Sequence, residues 1–114
     1  MDNRITSFHA HVYFDADTRE QARELCEDIS ARFPVEMGRM HDKPVGPHPM
    51  GSCQLAFGPD AFADVVTWLA LHRGGLTVFT HPETGDELPD HRDHAIWMGS
   101  MPSLKLSVFE EEEA

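Results

Sequence analysis

Two amphipathic helices, each flanked by short segments of alternating polarity, predict an α+β fold in which both helices cover one face of a four-stranded antiparallel sheet. The order is strand, helix, strand, strand, helix, strand, the βαββαβ pattern of ferredoxin-like sandwiches, followed by a C-terminal extension. At 114 residues the chain reads as one domain over 1–114, large enough for a single two-layer core and too small for separate cofactor and substrate domains.

The first strand, "FHAHVYF" at residues 8–14, alternates strictly: Phe8, Ala10, Val12 and Phe14 form an apolar face, and His9, His11 and Tyr13 point the other way. The period then becomes helical. Ala22, Leu25, Cys26, Ile29 and Phe33 share one face of a helix from about 18 to 33, opened by a capping box of Asp17 with Glu20 or Thr18 with Gln21. Pro34 stops it. "VEMGRM", 35–40, alternates again as the second strand, whereas "HDKPVGPHPMG" is too rich in Pro and Gly for regular structure. The third strand is "SCQLAF", 52–57, with Cys53, Leu55 and Phe57 opposite Ser52, Gln54 and Ala56. A second helix starts near Pro59, buries Phe62, Val65, Val66 and Leu69, and stops at Gly74 and Gly75. "LTVFTH", 76–81, completes the sheet, with Leu76 and Val78 on one side and Thr77, Phe79 and His81 on the other. A loop rich in Gly, Pro and acids follows. Beyond it the alternating Leu104, Leu106 and Val108 are expected to add a further strand or to cover the sheet's open face. A second subunit is an equally natural cover, because a half-covered sheet exposes apolar area, so a homodimer is expected.

The composition narrows the function classes. Hydrophobic residues make up 40% of the chain without any run long enough to span a bilayer, and no basic-then-apolar leader follows Met1, so a cytoplasmic protein with no membrane partner is expected. A net charge of -11 argues against nucleic acid, which needs clustered Lys and Arg. Part of that charge is the run Glu110 to Glu113, read as a solvated, frayed tail. Cys26 and Cys53 form no CxxC pair and fall on apolar positions, as core residues do.

Eight histidines are unusual in so short a chain. If the apolar face of the first strand meets the helices, parity sends His9, His11 and Tyr13 to the open face, and His81 joins them from the antiparallel fourth strand. His48 lies in the loop entering the third strand, the other neighbour of the first. Four imidazoles therefore converge. Imidazole suits zinc, iron(II) or copper(II) at neutral pH. Residues two apart on a strand stand roughly 7 Å apart, so one of His9 and His11 is expected to bind metal and the other to support it or act as acid/base group. His11, nearer mid-strand, is the preferred ligand. His41 and His72 have no such company, while His91 and His94 form either an alternative metal pair or loop hydrogen bonds. For a carboxylate ligand, Glu36 has the right parity on a predicted edge strand, and Asp86, Glu87 and Asp90 follow His81; a three-histidine site without a carboxylate is also consistent.

The stretches "FHAHVYFD", "VGPHPMGSCQLAF", "HRGGLTVFTHPETGDELPDH" and "HAIWMG", in this order and at these intervals, resemble the DOPA 4,5-dioxygenase family from about residue 5 to 100. The HxHxYFD strand, the GPHP loop and the HP-x-TG-D segment are its most specific parts. The resemblance implies an extradiol dioxygenase that uses iron(II), with zinc or another divalent metal as an alternative occupant, and dioxygen to split a catechol such as DOPA or a caffeate-like compound beside its two hydroxyls. By position His9 and His11 match the HxH, His48 the GPHP and His81 the HP, so the implied metal set is His11, His48, His81 and His9. Two features depart from the family: Gly51 stands where a larger residue, often aromatic, is expected, and the acidic tail after Val108 lies outside the motifs.

The chemistry expected is coordination of both catechol oxygens, which acidifies a hydroxyl, with His9 or His48 as general base and Tyr13 hydrogen-bonding the substrate. Phe79 and Trp97 are candidates to stack on the ring, and Arg39 or Arg73 to meet a substrate carboxylate. The competing reading is a non-catalytic dimeric module that binds metal and a phenolic ligand through the same histidines. A hydrolase lacks a carboxylate base that can be placed.

Overall fold

The structure, a computed structural model, describes residues 4–113, with side chains through residue 110. The elements in chain order are β1 (Ser7–Phe14), α1 (Arg19–Arg32), β2 (Val35–His41), β3 (Gly51–Phe57), a 3-10 turn at Pro59–Ala61 leading into α2 (Phe62–His72), β4 (Val78–Glu83), α3 (Glu87–Arg92), β5 (Ile96–Met98) and α4 (Ser107–Glu113). The strands form one antiparallel sheet in the order β2-β3-β1-β4-β5. β1, which carries His9 and His11, is thus at its centre.

The apolar parity of β1 sets the core. Phe8, Ala10, Val12 and Phe14 pack with Cys53, Leu55 and Phe57 of β3, with Leu25, Cys26 and Ile29 of α1, and with Val65 and Leu69 of α2. Each fully buried Leu, Ile, Val or Phe contributes roughly 1.5–3 kcal/mol, which docks both helices on the same face. Both cysteines are free thiols inside this layer. Gly74 and Gly75 take positive φ, at 55° and 86°, and end α2 as expected.

The structure corrects the sequence reading at several points. The sheet has five strands, not four. The fifth is Ile96–Met98, paired through Thr80 to Ile96, Phe79 to Trp97 and Val78 to Met98, whereas the segment around Leu104 to Val108 leads into α4 instead of forming a strand. Three residues carry too little alternation to declare a strand; the free edge of β4 recruits them. The acidic run to Glu113 belongs to α4, and Ala114 lies outside the described residues. "ELPDHR", read as loop, is α3, with Pro89 in its first turn where no intrahelical N–H is needed. Neither capping box forms at α1; Asp15 Oδ1 instead accepts the N–H groups of Asp17 and Thr18, each at 3.0 Å.

The second face is also largely covered. Tyr13, Ser52, Phe79 and His81 are all buried, beneath the 42–50 loop, α3 and α4. The loop and the C-terminal segment are tied by Lys105 N–H donating to the Pro47 carbonyl at 2.8 Å. Among the described residues no helix is long and apolar enough to cross a membrane.

Gly51 has a packing explanation. It pairs with Phe14, and a Cβ there would meet the His41 carbonyl oxygen at 2.9 Å and Phe14 Cε2 at 3.0 Å. It does not line the histidine cavity described below. Gly51→Ala is therefore expected to lower stability by about 1–3 kcal/mol through overpacking, read as a lower urea midpoint, with unchanged metal content.

Candidate functional site

Register brings the histidines together. In the β1–β4 ladder His9 stands opposite His81, and in the β1–β3 ladder His11 stands opposite Gln54. One ring nitrogen from each of His9, His11 and His81 lies within 4.8 Å of the others. The 7 Å spacing along the strand is thus closed by the rings, which tilt toward His81; the His9 and His11 centroids are 6.0 Å apart.

The hydrogen bonds around these rings fix which nitrogens are free. His81 Nδ1 donates to the Pro82 carbonyl at 3.0 Å, leaving Nε2 as an acceptor 3.1 Å from Nε2 of His11. Two nitrogens held about 2.0–2.1 Å from a shared ion would lie about 3–3.4 Å apart, so the separation fits joint ligation. His9 Nδ1 sits 2.8 Å from Glu83 Oε1. That is the outer-partner arrangement that orients a ligating imidazole and leaves its Nε2 for the ion.

His48 plays a different geometric part. It is not in the three-histidine group. Its ring centroid lies 4.2 Å from that of His11 with the planes tilted by 44°, and its Nδ1 shares a hydrogen with the Tyr13 hydroxyl at 2.7 Å. Burial pushes the Tyr13 phenol well above its ordinary value, so the hydroxyl stays protonated. His91 is the imidazole whose placement the sequence left open: its Nδ1 donates to the Glu87 carbonyl at 2.7 Å, and its ring lies 3.9 Å from that of His81.

The cluster favours neutral imidazoles. Burial first, then His91, lowers His81 to about 3; burial, then His91 and His41, lowers His48 to about 4. His11 is held well below 6.5 by burial and then by His48 and His81. Glu83 moves the other way, raised to about 7 by burial and then by Glu87 and Asp90. Metal ligation requires neutral imidazole, and this environment supplies it.

A cavity of about 280 Å³ opens on the group, walled by His48, Gln54, Glu83, Glu87, His91 and Phe109 in addition to the three histidines and Pro47. A larger cavity of about 410 Å³, which includes Arg4, Phe8, Phe62 and His94, contains none of them. The four histidines singled out from β1, β4 and the GPHP loop therefore do meet. Tyr13 does not line the cavity and reaches it through His48. Phe79 stacks on Trp97 at 4.5 Å and lies behind His11, so neither aromatic wall candidate faces the cavity. Arg73 donates to the Leu76 carbonyl and Arg39 lies on β2, so neither lines it. His72 bonds to the Trp68 carbonyl, apart from the site. Of the carboxylate candidates, Glu87 lines the cavity, Glu36 sits on β2, and Asp90 instead accepts the Thr84 N–H and hydroxyl at 2.8 and 2.7 Å.

Sequence reasoning missed Glu83. It follows the parity of Phe79 and His81, but it lies beyond His81, where the strand was expected to end. Pro82 instead pairs with Phe8, and the strand runs on to Glu83. Gln54 was readable, since its parity matches that of Ser52 and Ala56.

The sequence and the fold are similar to those of known proteins. The crystal structure of a Nostoc punctiforme protein assigned as a dioxygenase superposes with a TM-score of 0.95 at 45% identity, covering 98% of this chain and 99% of that one. An uncharacterized 21.2 kDa protein of Botryotinia fuckeliana is 39% identical over 90% of this chain and 62% of its own length. A DOPA 4,5-dioxygenase of Amanita muscaria is 33% identical over 95% of this chain and 50% of its own length. This chain thus spans about half to three-fifths of those two relatives. The family model described as Dopa 4,5-dioxygenase family matches residues 8–108, from the first strand through the last residue before Phe109. With the family model spanning residues 8–108, nearly the whole chain, this chain belongs to the DOPA 4,5-dioxygenase family.

Proposed function

We propose that the chain is a metal-dependent extradiol dioxygenase that cleaves the ring of a catechol, DOPA-like or caffeate-like, with dioxygen, and that iron(II) is the working metal. The observation that carries this reading is the group of His9, His11 and His81, with nitrogens within 4.8 Å and, for His9 and His81, the second ring nitrogen already bonded to an outer partner. Iron(II) bound there supplies a Lewis acid for the catechol oxygens and the redox chemistry that dioxygen needs; zinc fits the same donors without the redox part.

The protein's own groups do the rest. The Pro82 carbonyl and Glu83 orient His81 and His9. His48 is the acid/base residue: Nε2 takes a hydroxyl proton from the catechol while Nδ1–H rests on the Tyr13 oxygen, and the same nitrogen later returns the proton. Burial holds its imidazole neutral at neutral pH, with Nε2 free of a proton. The proposal includes a homodimer in the cytoplasm. What the chain's own segments leave uncovered is the β2 end of the second face, where Glu36 and Gly38 are exposed.

His48→Ala is expected to keep full metal content and lower the turnover number by about 10²–10⁴-fold, with Tyr13→Phe milder, as read by oxygen uptake of the iron(II)-loaded variants. The reading as a whole is tested by anaerobic reconstitution with iron(II), then addition of DOPA and caffeic acid in air. Stoichiometric oxygen uptake with a yellow ring-opened product, absent in a zinc-loaded control, is the expected result. Tight metal binding without uptake on any catechol would replace it with the binding-module reading.

A further inference from the structure

Phe109 is out of character with its surroundings. The rest of α4 is Ser107, Val108 and glutamates, yet Phe109 is only 7% exposed because its ring enters the wall of the histidine cavity. It lies 4.3 Å from the ring of His91, which lies 3.9 Å from that of His81. The three rings make one column from the C-terminal helix to the histidine group. Beside Phe109, the cavity wall is almost entirely imidazole, carboxylate and amide, and Pro47 is the other apolar contributor. The segment that delivers the ring is tied to that same Pro47 by the Lys105 N–H. Phe109 is also the first residue beyond the span matched by the family model, which ends at residue 108.

We propose that Phe109 determines substrate length at this site: its ring closes the cavity to a catechol with a compact substituent and excludes one with an extended side chain. This rests on the catechol reading above. Two observations support it. At about 280 Å³ the cavity falls just under the roughly 300–1,000 Å³ of sites for drug-sized ligands, so a single ring with a short chain fills it. An aromatic ring is also stiff, with two torsions, and here it is backed by His91 and carried on a helix, so it yields less to a bulky ligand than a flexible aliphatic side chain would.

The test uses the full chain loaded with zinc, so that the ligand is bound and not consumed, and compares 4-nitrocatechol with caffeic acid phenethyl ester by calorimetry. The wild-type protein is expected to prefer the compact ligand by about tenfold or more. Phe109→Ala should narrow that ratio by about tenfold through tighter binding of the ester, and Phe109→Leu should fall between. The ratio of kcat/KM values for the same pair with iron(II) should move in parallel. Equal weakening of both ligands, with the ratio unchanged, would mean that Phe109 only anchors α4, and would overturn the proposal. Wild-type binding of the ester as tight as that of nitrocatechol would overturn it as well. If the zinc-loaded ratio shifts as expected while the iron(II) protein consumes no oxygen with any catechol, the dioxygenase reading fails and the role of Phe109 stands. Absence of catechol binding altogether overturns both.

Discussion

His81→Ala and His11→Ala are each expected to yield a folded protein that loses its metal on gel filtration. The two imidazoles face each other at 3.1 Å between Nε2 atoms, and both are buried. Losing an outer partner of a ligating histidine typically costs about 10–100-fold in metal affinity; losing a ligand should exceed that, so a drop of at least about 100-fold is expected. His48→Ala is the built-in contrast, because His48 lies beside the three-histidine group and not in it. The measurement is metal content per chain after dialysis against a weak chelator, with circular dichroism to confirm that each variant is folded. Full metal content in both ligand variants would place the ion elsewhere and remove the geometric basis of the proposed chemistry.

Acid is expected to unfold the metal-free protein well before it would unfold a domain without this cluster. In the unfolded chain each imidazole titrates near 6.5. In the folded chain burial, and then repulsion from neighbouring imidazoles, lower His81 to about 3 and His48 to about 4 and lower His9 and His11 as well, while burial alone lowers His91. A depressed folded value means that the unfolded state binds more protons between the two pKa values. The stability tied to these groups is therefore present above pH 6.5 and is lost as pH falls toward 4 and 3. Glu83 has the opposite sign: raised from 4.5 to about 7, it contributes stability below pH 4.5 that is lost as pH rises through 7. One carboxyl against five imidazoles leaves the balance with the histidines. Each pKa unit is worth about 1.4 kcal/mol, and a domain holds only about 5–15 kcal/mol in all, so acidification from pH 7 to 5 should remove several kcal/mol. Urea midpoints of the apoprotein at pH 8, 7, 6 and 5 measure this. A midpoint that stays level down to pH 5 would show that the imidazoles are solvated and not packed as described.

Much of the fold and the site was legible because parity is local. Alternation from Phe8 to Phe14 assigns each side chain of β1 to a face from the strand's own geometry, and the apolar stripes of α1 and α2 identify which face the helices take. With β1 between β3 and β4, His9, His11 and His81 had to share a surface. The sequence by itself thus determined the strand-helix order through β4, the core layer and the histidine face, each from repeats within a dozen residues. Only the tertiary structure decided the rest. Ile96–Met98 is a strand because β4 offers an unpaired edge, not because three residues prefer extension. Glu83 reaches His9 because β4 continues through a proline whose neighbour happens to be Phe8. His91 and Phe109 enter the cavity from α3 and α4, segments with no period long enough to read, held by contacts to residues distant in the chain. Periodicity reports how a segment meets its own sheet or helix; which loop or terminus then closes over the exposed face depends on pairings between segments far apart in sequence, and no local pattern encodes those.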